Sequence, residues 1–131
     1  MQYQEFMDKV KKKIRFENEE DCLRTVRAVL ATLGERLPST ERRRLTTQLP
    51  KELEEFFHER LVTQQIEEHG DRYSLEEFYN RVGARAGILH GESVKKAKAV
   101  LSVLQEAVSQ GEMQDVREVL PDDFRELFSP S

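Results

Sequence analysis

Apolar residues recur along this chain at helical spacing almost from its first residue. Tyr3, Phe6, Met7, Val10 and Ile14 fall on one stripe of a helix over residues 2–15, with Lys11, Lys12 and Lys13 around its outside. Asn18 is placed to cap the next helix, and Glu19, Glu20 and Asp21 suit the positive end of its dipole. That helix runs to Leu37 with Leu23, Val26, Leu30, Leu33 and Leu37 as a seam in steps of three and four. Pro38 ends it, and Ser39 is the expected cap of a third helix carrying Leu45 and Leu49. Leu49-Pro50 then launches a fourth, with Leu53, Phe56, Phe57 and Leu61 inward, reaching about Ile66. Residues 67–73 have no apolar phase and contain Gly70, so they read as a connection.

After the connection the programme repeats. Ser74-Leu75-Glu76-Glu77 is a capping box. Shifted by 72 residues, the first stripe becomes Leu75, Phe78, Tyr79, Val82 and Ala86. Shifted by 71, the seam becomes Val94, Ala97, Leu101, Leu104 and Val108, and Leu49-Pro50 becomes Leu120-Pro121. Ser109 takes the place of Ser39, with Glu112 three residues on. The change of shift falls in the loop around Gly87 and Gly91, where an added residue is tolerated. The pattern predicts an all-α helical bundle of about eight helices. It is built from two tandem four-helix repeats, residues 3–57 and 75–128, packed with pseudo-two-fold symmetry into one domain over 1–131.

The order of several short patterns carries a family resemblance. They are Ala28-Val29-Leu30-x-x-Leu33-Gly34-Glu35-Arg36-Leu37, then Gln48-Leu49-Pro50, then Glu76-Glu77-Phe78-x-x-x-Val82, then Val119-Leu120-Pro121-x-x-Phe124-Arg125-x-Leu127-Phe128. Together they resemble the bacterial family named domain of unknown function 2267, over nearly the whole chain. The resemblance implies an all-helical fold and a bacterial cytoplasmic setting. It implies no activity and supplies no functional residues.

Composition adds little to the fold and something to function. Charged residues are 35% of the chain, which suits helices with heavily charged outer faces. The net charge of −4 disfavours nucleic acid as the main partner. No segment is long and apolar enough to suggest a membrane span, and the first residues carry no signal-peptide pattern, so a cytoplasmic location is expected.

Three chemistries deserve weighing. The basic clusters Lys11, Lys12, Lys13 and Arg42, Arg43, Arg44 would contact a polyanion if the fold brought them together. Met113, Gln114 and Asp115 replace the arginines in the second half, so the fold is expected to tolerate loss of all three charges. Glu54, Glu55 and His58, one helical turn apart, are half of a metal-binding arrangement, but the second half offers Ser129 in place of the histidine. Cys22 stands near a helix start with no base beside it in sequence, which reads as a passive thiol. No phosphate-binding glycine loop, zinc spacing or nucleophile elbow is present. The sequence therefore points to a non-enzymatic interaction module with no cofactor, metal or small-molecule substrate. A protein partner or self-association ranks first, weak nucleic-acid binding second and a Glu/His metal site third.

Overall fold

The computed structural model describes residues 1–64 and 68–129. Seven α-helices are followed by a 3-10 helix: α1 (Tyr3–Lys13), α2 (Glu19–Arg36), α3 (Ser39–Thr46), α4 (Lys51–Gln64), α5 (Leu75–Ala86), α6 (His90–Ala107), α7 (Gln110–Val119) and the 3-10 helix Asp122–Phe128. No strand occurs among the described residues. The expected extension of α4 to Ile66 and the start of the connection at Glu67 lie outside the described residues, as do Pro130 and Ser131.

Local chemistry sets most of the boundaries. Asn18 Oδ1 accepts from Asp21 N at 2.9 Å, and the Ser74 and Ser109 hydroxyls accept from Glu77 N and Glu112 N, each at 3.2 Å. These are three of the expected caps. Ser39 is a correction: it is the first helical residue of α3, and Pro38 holds the cap position without a side-chain bond. The fixed φ of Pro38 suits that place, its carbonyl accepts from Arg42 N, and Ser39 N is bound by the Glu68 carbonyl at 2.7 Å.

The two Leu-Pro sites also differ. Pro50 opens a regular α-helix of 14 residues, whereas Pro121 opens a 3-10 helix. Phe124 and Leu127 are its buried residues, three apart, and three residues per turn places both on one face.

The centre of the core is formed by the two 18-residue helices, α2 and α6. Leu30, Leu33, Leu101 and Leu104 are fully buried, as the seam requires. The seam is looser at its starts, where Leu23 and Val94 stay partly exposed. Around this pair, α4 and α5 pack against α2, while α1, α5 and the 3-10 helix pack against α6. The short helices α3 and α7 pack against each other.

Two glycines allow the backbone to come close. A Cβ on Gly34 would overlap the carbonyl of Phe57, so this glycine lets α2 and α4 cross in backbone contact. Gly70 has φ +80°, and a Cβ there would lie 2.5 Å from the Arg36 carbonyl oxygen. The connection is therefore fastened to the end of α2, with Asp71 N donating to Glu35 O at 2.8 Å.

Candidate functional site: basic grooves on a charged bundle

The six cations singled out by sequence are not gathered into one site. Lys11 is paired with Glu19 at 2.7 Å and Asp8 at 3.4 Å, and Lys13 reaches Glu106 at 3.5 Å. Lys12, Arg43 and Arg44 are exposed. The hollow beside Lys11, Lys12 and Lys13 is completed by Arg15 and contains no residue of α3.

Arg42 corrects the expectation of three interchangeable surface charges. It is buried, and its Nη1 donates to Gly34 O at 2.9 Å and Leu37 O at 3.0 Å. Those carbonyls are among the orphan acceptors at the end of α2, so Arg42 serves as a cap reaching back from α3. Burial, then the neighbouring Arg43, pushes its pKa down. Its sequence counterpart Met113 is also buried, so an apolar side chain fills that position on α7.

Lys13 has other company. It lines a groove of about 460 Å³ with Ile14 at the end of α1, Lys95, Lys98, Ala99 and Ser102 of α6, and Ser129. Among the described residues no carboxylate lines this groove. Lys95 and Lys98 make no ion pair among the described residues, whereas their neighbour Lys96 lies over the Phe16 ring and pairs with Glu92. Lys95 and Lys98 were missed because their run, Lys95-Lys96-Ala97-Lys98, looks like the outer face of an ordinary helix.

A second groove, of about 390 Å³, lies among α2, α4 and α5. Leu23, Ala28 and Ala31 are flanked there by Arg24, Arg27, Arg60 and Arg85. This groove is largely neutralised from within, since Glu20 and Glu59 line it too. Arg27 binds Glu59 through two nitrogens at 2.9 and 3.3 Å, Arg24 pairs with Asp21, and Arg85 is held by Glu35 at 2.6 Å.

Glu35 is the chain's least expected placement. It is fully buried on α2, and its Oε1 also accepts from Arg81 at 3.1 Å. Arg81 binds Asp71 and Glu77, each at 2.8 Å, and stacks 4.1 Å above the Tyr73 ring. The Tyr73 hydroxyl donates to Thr32 O at 2.5 Å, and burial, then Glu35, raises its pKa. Arg36 donates to Tyr73 O at 3.0 Å and lies over the Phe124 ring. These groups clamp α2, α5 and the connection together.

Little of the expected reactive chemistry is assembled. Cys22 is buried, and burial pushes its thiol up to about 11, the opposite of an activated nucleophile. No further metal-ligating side chain joins Glu54, Glu55 and His58 among the described residues. Among the described residues the carboxylates that do converge are Glu41, Glu112 and Asp115, where α3 meets α7. Burial, then the facing Glu41, pushes the Glu112 carboxyl up to about 7.

Among the described residues no helix is long and apolar enough to cross a membrane. The model of the family described as "Uncharacterized conserved protein (DUF2267)" matches residues 3–127, and the chain belongs to that family. A search of curated proteins finds no match. The motif Gly34-Glu35-Arg36 has a structural use at each position: close approach to α4, the buried ion pairs, and the stack on Phe124.

Proposed function

We propose that this DUF2267 member is a non-enzymatic interaction module that takes an acidic segment of a protein partner into the groove between the end of α1 and α6. The observation that carries the reading is the lining of that groove: among the described residues it holds Lys13, Lys95 and Lys98 and no carboxylate, and of the three only Lys13 has an ion pair, with Glu106 outside the lining. Ala99, Ser102 and the partly buried Ile14 give an acidic peptide a small, uncharged surface between the cations. Charge complementarity of this local kind speeds encounter and selects partners more than it adds raw affinity.

A short acidic peptide fits better than nucleic acid. The net charge is −4, so a long polyanion extending beyond the groove meets repulsion. Among the described residues the large apolar side chains that are well exposed are Leu89 and Val119, neither of them an aromatic platform for stacking bases.

The internal duplication belongs to the same reading. Supporting it, α1 packs on α6 as α5 packs on α2, and α3 meets its counterpart α7. The grooves correspond as well. Arg24, Arg27, Ala28 and Ala31 occupy the sequence places of Lys95, Lys98, Ala99 and Ser102 at the 71-residue shift, and Arg85 that of Lys13 at the 72-residue shift. On this view two related grooves have diverged, one closed by its own carboxylates and one left open to a partner.

The test is a fluorescence-anisotropy titration with a labelled oligoglutamate peptide and, separately, a single-stranded oligonucleotide of equal charge. The reading expects saturable, salt-sensitive binding of the peptide and weaker binding of the oligonucleotide. Tighter binding of the oligonucleotide, holding at physiological salt, would move nucleic acid ahead of the protein partner.

A further inference from the structure

The contact between α3 and α7 buries two carboxylates, with Arg44 acting on Glu112 only from a distance and no ion pair to either among the described residues. Glu41 and Glu112 are 6% and 7% exposed, and the Oε2 atom of each is buried without a hydrogen-bond partner. No ion pair reaches either residue, or Asp115, among the described residues. One carboxylate oxygen from each of Glu41, Glu112 and Asp115 lies within 4.8 Å of the other two.

Two buried carboxylates facing each other cannot both stay ionised without something positive between them. A shared proton or a bound cation would each relieve the repulsion. Asp115 favours the cation. A proton held between Glu41 and Glu112 has no use for a third carboxylate, whereas a divalent ion is better matched by three. Asp115 is only partly buried, unlike the two glutamates, which leaves one side of the cluster in reach of the waters that hard cations keep. The separations are within what one oxygen-ligated ion allows: at a Ca–O distance of about 2.4 Å, two ligands stand at most roughly 4.8 Å apart.

We propose that Glu41, Glu112 and Asp115 form a site for a hard divalent cation, of the Ca²⁺ or Mg²⁺ class, that ties α3 to α7. The ion gives both buried carboxylates a positive partner, and on the Asp115 side it keeps its water. The site uses none of the groove cations, so it stands or falls independently of the peptide-binding reading.

The test is thermal unfolding of metal-stripped protein in chelator, in millimolar Ca²⁺ and in millimolar Mg²⁺, with calorimetric titration of each ion. The site predicts that at least one ion raises the melting temperature by roughly 5 °C, because it binds only the folded chain. Glu112→Gln should abolish that rise while melting above the wild type in chelator, since one of the facing charges is gone. An equal response in Glu112→Gln would mean diffuse binding to acidic surface and would overturn the site. So would a wild type that ignores both ions and is stabilised by lowering the pH in chelator, which is the behaviour of a shared proton.

Discussion

Gly34 and Phe57 are in backbone contact: a methyl group on Gly34 would occupy the space of the Phe57 carbonyl. On an exposed helix, glycine to alanine gains about 1 kcal/mol of helix propensity. Here the sign reverses. Gly34→Ala should cost about 1–3 kcal/mol, because α2 and α4 must move apart. Urea unfolding measures it, and a more stable variant would show that the crossing is looser than described.

The buried Glu35 should be worth more than its surface counterparts. Glu35→Gln keeps the size but leaves Arg85 and Arg81 without their shared carboxylate, at a cost of about 3–5 kcal/mol. The double variant Glu35→Leu with Arg85→Met should recover part of the loss seen in Glu35→Leu alone. Additive losses in the cycle would show that the two residues do not couple.

Arg42 and Arg43 should separate cleanly. Arg42→Glu places a carboxylate against the Gly34 and Leu37 carbonyls and should cost at least about 2 kcal/mol. Arg43→Glu, on the exposed face, should stay within about 1 kcal/mol of the parent. Equal effects in denaturant melts would contradict the capping role.

Cys22 should be slow to react. Its thiol is buried and pushed up to about 11, with burial the main cause, so it stays protonated at pH 8. Ellman's reagent should modify it in the folded protein at least about tenfold more slowly than in denaturant. A native rate equal to the unfolded one would place the thiol at the surface.

What the sequence made legible was what depends on near neighbours. Asn18, Ser74 and Ser109 cap their helices because a short side chain beside a helix start can reach an amide three residues on. Leu30 and Leu101 are buried because the seams repeat at helical spacing. What it hid depends on distant partners. Glu35 looks like any surface glutamate until Arg81 and Arg85, more than forty residues on, are folded against it. Arg42 looks like one of a basic triplet because the carbonyls it binds come into reach only when α3 turns back on α2. Ser39 misled because Pro38 already held the cap position. The groove escaped notice for the same reason as the ion pairs: Lys13 meets Lys95 and Lys98 only because α1 crosses to α6.

The most direct test of the proposed role is charge reversal in that groove. Lys95 is exposed and Lys98 only partly buried, so Lys95→Glu with Lys98→Glu should leave the helical circular dichroism and melting temperature near those of the parent. The measurement is the dissociation constant for the oligoglutamate peptide at low salt, with Arg43→Glu as a control on the remote α3 face. The account predicts at least about a tenfold loss of affinity in the double variant, since two attractive contacts become repulsive, and little change in the control. Equal losses in both would mean that the peptide senses overall charge, and undiminished affinity in the double variant would contradict the groove as the binding site.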